Sequence, residues 1–234
     1  MKLAKEFRRE AWVALGEGQY WPFVGALVVM CLMAALAFLP VGLIVIVAIV
    51  LGGAVSSEAA SDPATLIAAC SSVIIPAAAA LTAVFIYAIG FMMWSQTRLS
   101  LAVSRREMKF ELVTSGWGHG WKMGWISLVQ LTYVQLWCLL LVIPGLVKSF
   151  SYAMTPYIAV EHPDWTANEC ITESRRIMDG NKWRLFCLRF SFIGWYLLLI
   201  PAAYIPFAGS FATYFLMPYY LSSVAAFYEE IKGQ

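Results

Sequence analysis

The feature that most constrains the fold of this chain is an uninterrupted apolar run at residues 22–51. An α-helix rises about 1.5 Å per residue, so about 20 apolar residues cross the hydrocarbon core of a bilayer. The run is long enough for one membrane span but too short for two. Its excess length predicts a tilted helix, a helix kinked at Pro40, or one that projects from the bilayer.

Five further apolar runs predict five more spans. They cover about residues 64–95, 121–143, 146–160, 183–200 and 210–228. Pro76 lies inside the second span of the chain, and we expect Pro156 to interrupt the fourth and Pro218 the sixth. Charged residues make up 13% of the chain and apolar residues 61%, whereas soluble domains carry about 25% charge. We therefore expect an all-α fold: a polytopic membrane helix bundle of six transmembrane helices arranged as three hairpins, with amphipathic helices on the cytoplasmic face.

The positions of Lys and Arg predict the orientation. Apart from Lys148 and Arg189, which lie inside apolar runs, they fall in residues 1–20, 96–122 and 161–184 and in the C-terminal tail. The three opposite turns, residues 52–63, 143–147 and 201–209, contain neither residue type. The positive-inside rule then predicts that both termini are cytoplasmic.

Two amphipathic segments are predicted on that face. In residues 2–16, Leu3, Phe7, Ala11, Ala14 and Leu15 share one helical face, which suits either an anionic membrane surface or packing on the protein itself. The cations that we expect at the membrane surface are Lys2, Lys5, Arg8, Arg9, Arg175, Arg176, Lys182 and Arg184.

The second amphipathic segment, residues 163–180, carries clear helix-end signals. Thr166 and Glu169 have the spacing of a capping box, in which each side chain accepts from the other residue's backbone N–H. An apolar face follows, formed by Cys170, Ile171, Ser174, Ile177 and Met178. Gly180 then stands where a left-handed helix end favours glycine.

An internal repeat divides the single membrane domain into residues 1–98, 99–162 and 163–234. Each hairpin is entered through Gly-x-x-Trp, at Gly18, Gly118 and Gly180. In the last two, Ser151-Tyr-Ala-Met-Thr-Pro-Tyr157 aligns with Thr213-Tyr-Phe-Leu-Met-Pro-Tyr219. Paired prolines of this kind mark either a binding site between repeats or simple kinks.

A polar stripe on the predicted fourth span is the candidate ligand site. Lys148, Ser151, Tyr152 and Thr155 recur at helical spacing. A charge within hydrocarbon is costly, so Lys148 either contacts an anionic or lipid-phosphate group or extends to the interface. The whole set of candidate ligand-binding residues is Lys148, Ser151, Tyr152, Thr155, Gln130, Tyr133 and Arg189.

Other classes of function lack a sequence signal. The chain has no His-Glu-x-x-His, Gly-x-Ser-x-Gly or P-loop motif, so we expect no enzyme activity, catalytic residue or cofactor. The five cysteines lack metal-ligand spacing and the two histidines are far apart, so no metal site is expected. The formal net charge of +2 does not favour nucleic-acid binding. Glu161-His162 suits either a proton relay or a solvated helix end.

Several short motifs occur within residues 141–230: Ile143-Pro144-Gly145, Lys148-Ser149-x-Ser151-Tyr152, Pro163-Asp164, Glu173-Ser174-Arg175-Arg176, Met178-x-Gly180-x-Lys182-Trp183, Ser191-Phe-Ile-Gly-Trp195 and Phe227-Tyr228-Glu229. Together they resemble a bacterial integral-membrane family known as domain of unknown function 975. The basic N-terminal helix and Tyr20-Trp21 also look like the start of that family. A weaker similarity is to the membrane domain of some glycerophosphodiester phosphodiesterases. The resemblance implies a multi-pass protein of the bacterial cytoplasmic membrane and supplies no activity.

Two functional hypotheses follow. The first is a non-enzymatic membrane protein that binds or moves a lipid-like or amphiphilic molecule, with membrane lipids as its partners. The alternative is a scaffold or interaction subunit for a transporter or envelope enzyme, which would contact another membrane protein or form a homo-oligomer.

Overall fold

The computed structural model describes residues 3–16, 18–58, 63–203 and 208–233, and these residues form helices and connecting turns without a β-strand. The α-helices are α1 (Ala4–Gly16), α2 (Tyr20–Glu58), α3 (Pro63–Ser104), α4 (Gly120–Leu140), α5 (Val142–Ser151), α6 (Thr155–Glu161), α7 (Ala167–Ile177), α8 (Lys182–Phe190), α9 (Ile193–Ala203) and α10 (Ala208–Ile231). A 3₁₀ helix, Phe110–Gly116, lies between α3 and α4. The predicted all-α fold class is confirmed.

Three helical segments are long and apolar enough to cross a membrane: Tyr20–Pro40, Ile74–Ser104 and Gly120–Leu140. Fewer than a third of the residues in the most apolar stretch of each segment are buried, as expected for helices that face lipid rather than a protein core. These segments correspond to the first three predicted spans. They suggest a membrane protein.

The C-terminal predicted spans have a different helical organisation from the first three. The predicted fourth span is divided into α5 and α6 by a turn at residues 152–154, next to Pro156 as the sequence predicts. The predicted fifth span is divided into α8 and α9 by a turn at residues 191–192, although it contains no internal proline. The predicted interruption of the sixth span at Pro218 is wrong, because α10 is continuous through that residue.

Helices α2, α3 and α4 pack in sequence order, and α5 folds back on α4. The crossing of α3 and α4 depends on small residues, because a Cβ atom added at Gly90 would lie 1.9 Å from the carbonyl oxygen of Gly120 and 2.4 Å from the backbone nitrogen of Gly124. Glycine allows this close backbone approach where lipid supplies no hydrophobic drive for helix association.

The core lies toward what we call the polar end of the molecule, where α3, α6 and α10 end at Ser104, Glu161 and Ile231. One cluster of buried side chains joins α1, α3, α4, α6, α7, α8 and α10, and includes Phe7, Trp94, Met123, Ile158, Cys170, Leu185, Phe192 and Phe227. A second cluster joins the end of α1 to α2, α3 and the 3₁₀ helix. The short helices are therefore packed into the fold.

Candidate functional site

The apolar face of α1 packs on the protein itself. Phe7, Ala11, Ala14 and Leu15 are buried as the sequence predicts, but Leu3 is exposed. The ring of Phe7 lies edge-on to that of Phe227 in α10, with centroids 5.4 Å apart. Of the two expectations for this helix, packing on the protein is the one observed, and its apolar face is not available to a bilayer. Lys2 lies outside the described residues.

Helix α7 has the ends that the sequence predicts. The backbone N–H of Thr166 donates to Glu169 Oε2 at 2.7 Å, and the N–H of Glu169 donates to Thr166 Oγ1 at 3.4 Å. The capping box also lowers the pKa of the Glu169 carboxyl, because the charged form accepts the Thr166 hydrogen bonds. Gly180 adopts φ +74°, the left-handed conformation expected after the helix.

A buried serine connects α7 to the turn between α5 and α6. Ser174 Oγ donates to the carbonyl oxygen of Ser151 at 2.9 Å and accepts from the backbone N–H of Met154 at 3.2 Å. Both backbone groups lie where the helix is interrupted, and Ser174 is 0% exposed. The side chain thus replaces hydrogen bonds that a continuous helix would have made. The sequence placed Ser174 on the buried face but did not reveal this role.

The residues of the predicted ligand site do not form one open stripe. Lys148 Nζ lies 4.7 Å from the centroid of the Trp137 ring, an arrangement that stabilises a cation. Ser151 and Thr155 are buried, and Ser151 Oγ donates to the carbonyl oxygen of Val147. Lys148 and Ser151 are therefore engaged by contacts within the protein, whereas the buried Thr155 Oγ1 has no hydrogen-bond partner among the described residues.

The remaining members of the predicted ligand site are divided between two neighbourhoods. Tyr133 and buried Tyr152 have ring centroids 6.4 Å apart, and the Tyr133 hydroxyl donates to Asn168 Oδ1. Gln130 is half-buried on α4. The guanidinium of Arg189 instead lies 5.5 Å from the ring of Phe150. Binding of a ligand by this set remains a prediction.

A group of charged residues at the polar end, the Glu161 cluster, was not predicted. It consists of Glu161 from the end of α6, Tyr228 and Glu229 from α10, Lys232 after it, and Arg105 after α3. Glu161 accepts from the Tyr228 hydroxyl at 2.7 Å, from Lys232 Nζ at 2.8 Å and from Arg105 Nη2. Glu229 accepts from Arg105 Nε at 2.8 Å and pairs with Lys232 Nζ at 2.9 Å. The cluster joins three helix ends.

The Glu161 carboxylate is stabilised by this arrangement. Burial alone raises the pKa of the carboxyl, but the hydrogen bonds from Lys232, Tyr228 and Arg105 outweigh it, so the pKa lies below its ordinary value. The two expectations for Glu161-His162, a proton relay and a solvated helix end, do not describe this ion-paired carboxylate. Glu161 is held in ion pairs, and the His162 ring stacks on Trp165 with centroids 4.2 Å apart.

Arg184, predicted at the membrane surface, has a largely buried side chain that is 14% exposed. Its Nη2 lies 2.5 Å from Glu230 Oε1, and its guanidinium lies 5.7 Å from the ring of Phe7 and 5.6 Å from that of Phe227. The prediction for this cation is wrong, because the ion pair and the two rings hold it inside the fold. By contrast, Arg175 is exposed, and Arg176 and Lys182 pair with Glu173 and Asp179 on the surface.

An open groove, here called the aromatic groove, lies between α1, α2, α9 and α10. Its volume is about 780 Å³, within the range typical of ligand pockets. The lining is almost wholly apolar or aromatic and consists of Trp12, Tyr20, Trp195, Leu198, Leu199, Phe215, Leu216 and Tyr219. Sequence reasoning missed it, because its walls come from helices far apart in the chain.

The groove has a cation close to one edge. Arg8 precedes Trp12 by one turn of α1, so the two side chains lie on the same side of that helix. Arg8 Nη1 donates to the carbonyl oxygen of Ser191 at 3.4 Å, at the junction of α8 and α9. An amphiphile in the groove would therefore find apolar walls beside a guanidinium.

Comparison with known protein families finds a match in the C-terminal part of the chain. No curated protein and no solved structure matches the sequence, so the weaker similarity to glycerophosphodiester phosphodiesterases has no support. The matched family segment contains every motif quoted above from residues 141–230 and excludes the N-terminal helix. A family model described as "Protein of unknown function (DUF975)" matches residues 122–234, which confirms the resemblance for this C-terminal segment of the chain.

Proposed function

We propose that this protein is an integral membrane protein that binds a lipid-like amphiphile in the aromatic groove, without catalysis. The observation that carries the proposal is the groove itself, an opening of about 780 Å³ with aromatic and leucine walls. Trp and Tyr favour the boundary between water and hydrocarbon because their rings are apolar and their edges are polar. Four such residues in one concave surface suit a molecule that spans the same boundary.

The chemistry of the groove favours an acyl chain with an anionic head. Trp12, Trp195 and Leu198 are exposed, so their apolar surfaces are available to a ligand. Burying apolar surface contributes about 25 cal/mol per Å², so an acyl chain would supply most of the affinity. Arg8, one turn from Trp12, would attract a negative headgroup.

The membrane topology is part of the proposal. Six spans in the bacterial cytoplasmic membrane, with both termini cytoplasmic, agree with the distribution of Lys and Arg along the chain. Two of the proposed spans consist of paired short helices, α5 with α6 and α8 with α9. Backbone interruptions of this kind are tolerated at membrane depth where neighbouring side chains satisfy the freed groups, as Ser174 does.

Native mass spectrometry of the full chain, released from its own membrane with minimal detergent, tests the groove. We expect a retained lipid or amphiphile in the wild type and at least a tenfold lower retained fraction in a Trp12→Ala/Trp195→Ala variant. Trp125→Ala is the matched control, because this tryptophan is similarly exposed but lies on α4, outside the groove. The control should retain the ligand.

Two results would overturn the groove as the binding site. One is equal retention in the groove variant and the control. The other is a ligand that disappears in Lys148→Ala but stays in the groove variant, which would return the site to the stripe predicted from the sequence. A readout of thermal unfolding for each variant separates loss of binding from loss of folding.

The alternative function, a scaffold for another membrane protein, has one surface in its favour. A shallow hollow of about 500 Å³ opens on the outer face of α7, lined by Trp165, Asn168, Glu169, Thr172 and Glu173. The same mass spectra test this role. A co-purifying protein that is lost in Trp165→Ala, with no retained amphiphile, would favour the scaffold.

A further inference from the structure

A second large opening, here called the basic cleft, lies at the polar end. Its volume is about 1060 Å³, and it is bounded by the end of α3, the segment that follows it, and the end of α6. Its charged lining residues are Arg98, Arg105, Arg106, Lys109, Glu107 and Glu161. None of them lines the aromatic groove.

Cations outnumber anions in this cleft, and not all of them are neutralised by the protein. Arg105 is engaged with Glu161 and Glu229 in the Glu161 cluster. The side chains of Arg98 and Lys109, in contrast, form no hydrogen bond or ion pair with the residues that the structure describes. Cations that converge on a partly enclosed opening repel one another and focus a positive potential into it. An anion there would relieve the repulsion.

The backbone beside the cleft is held in an unfavourable conformation. Helix α3 ends with hydrogen bonds from Glu107 N to the carbonyl oxygen of Ala102 at 2.8 Å and from Arg106 N to that of Val103 at 3.1 Å. This pattern places Arg106 at the left-handed position, with φ +59°, where glycine is preferred. A side chain is disfavoured there because its Cβ comes too close to the following carbonyl oxygen, and strain of this kind concentrates at functional sites.

We infer that the basic cleft binds the phosphate group of an anionic ligand, with Arg98, Arg106 and Lys109 as its contacts. Phosphate accepts several charge-assisted hydrogen bonds, which suits guanidinium and ammonium groups from different chain segments. The group could belong to a water-soluble phosphate ester or to a lipid headgroup. The inference does not depend on the aromatic groove.

Two probes distinguish these sources in the full chain reconstituted in phosphatidylcholine nanodiscs. Inorganic pyrophosphate is titrated by calorimetry to represent a soluble ligand. Nanodiscs that also contain phosphatidic acid represent the lipid, and its retention is measured by native mass spectrometry. We expect an Arg98→Gln/Lys109→Gln variant to bind one probe at least tenfold more weakly than the wild type, because it loses two cations that would donate charge-assisted hydrogen bonds to the phosphate.

The matched control is Lys5→Gln/Arg175→Gln, which removes the same two charge types from exposed positions on α1 and α7. Selective loss of pyrophosphate binding in the cleft variant assigns a soluble ligand, and selective loss of phosphatidic acid assigns a lipid headgroup. The inference is overturned if neither probe binds, or if the cleft variant and the control weaken binding equally.

Arg106 supplies a separate test, because glycine adopts φ +59° without strain and so preserves the backbone of the cleft. Arg106→Gly should weaken binding of the same probe at least fivefold. Unchanged probe affinity in this variant would remove Arg106 from the proposed contacts.

Discussion

Residues 151–157 and 213–219 have similar sequences but different backbones. Both contain a Tyr four residues before Pro and another immediately after it. The first segment contains the turn between α5 and α6, with Pro156 in the first turn of α6. The second lies within α10, and the helix continues through Pro218. A proline lacks the N–H that a helix interior needs, so each segment must satisfy the freed backbone groups differently.

The difference lies in what the neighbouring helices supply. At the first segment, Ser174 from α7 bonds to both sides of the turn, to the Ser151 carbonyl oxygen and the Met154 N–H. At the second, the Tyr20 hydroxyl from α2 donates to the carbonyl oxygen of Phe215 at 2.8 Å, three residues before Pro218. Ser174 both donates and accepts, so it can stabilise an open turn. The single bond from Tyr20 instead adds to a continuous helix, in which the carbonyl that Pro218 leaves without an N–H donor is that of Tyr214, four residues before it. The proline is local, but its structural effect depends on packing.

The largest expected effect is from Ser174→Ala, which removes both bonds at the first segment. Because the Ser151 carbonyl and the Met154 N–H would be left buried without a partner, we expect a loss of about 2–4 kcal/mol of stability. Thermal unfolding in mild detergent measures it. Thr172→Ala, on the exposed face of the same helix, is the control and should change stability by about 0.5 kcal/mol or less. Equal losses of stability in the two variants would show that the two Ser174 hydrogen bonds contribute nothing specific.

An intermediate effect is expected from the Glu161 carboxylate, which joins the two helices that contain these prolines. Helix α6 has Pro156 in its first turn and ends at Glu161, and α10 contains both Pro218 and Tyr228. The pKa of Glu161 is below its ordinary value, so its stabilising contribution is present above about pH 4.3, the usual pKa in an unfolded chain, and is lost as pH falls through the folded value.

The variant Glu161→Gln isolates that contribution. At neutral pH it should cost about 1 kcal/mol, a modest figure because the pairs are partly exposed. The difference in unfolding midpoint between wild type and variant should shrink as pH falls below about 4. Glu111→Gln, an exposed change in the 3₁₀ helix, should leave the pH profile unaltered. A wild-type advantage that persists undiminished in acid would contradict the ionic origin of the effect.

The smallest expected effect is from Tyr20→Phe at the second segment. The bond from Tyr20 to Phe215 is exposed and single, so its loss should cost about 0.5–1 kcal/mol. Thermal unfolding of Tyr20→Phe and of Ser174→Ala under the same conditions compares the two losses of stability. The substituted Phe keeps the aromatic ring that lines the aromatic groove. If Tyr20→Phe proved as damaging as Ser174→Ala, the proposed contrast between the two segments would be wrong.

Local sequence signals were sufficient to predict several structural features. The capping box at Thr166 and Glu169, the buried face of α7 and the left-handed Gly180 follow from side-chain chemistry within a few residues. The first three apolar runs predicted helices because composition and length determine whether a segment can cross a bilayer. These features need no knowledge of distant neighbours.

The candidate site could not be predicted in the same way. The walls of the aromatic groove come from residues that are separated by up to about two hundred positions, and the Glu161 cluster joins three distant helix ends. Arg184 has the sequence context of an interfacial cation, yet Glu230 and two aromatic rings bury it. No periodicity within one helix specifies such partners.

Long apolar helices, short amphipathic helices and their end signals can all be predicted from the sequence, because hydrophobic run length, helical periodicity and capping are local properties. Tertiary packing, in contrast, sets which proline segment opens, which cations are buried and where the aromatic groove and the basic cleft lie. Those outcomes depend on which side chains distant helices bring within hydrogen-bonding distance, because leaving a polar group unpaired in apolar surroundings costs free energy.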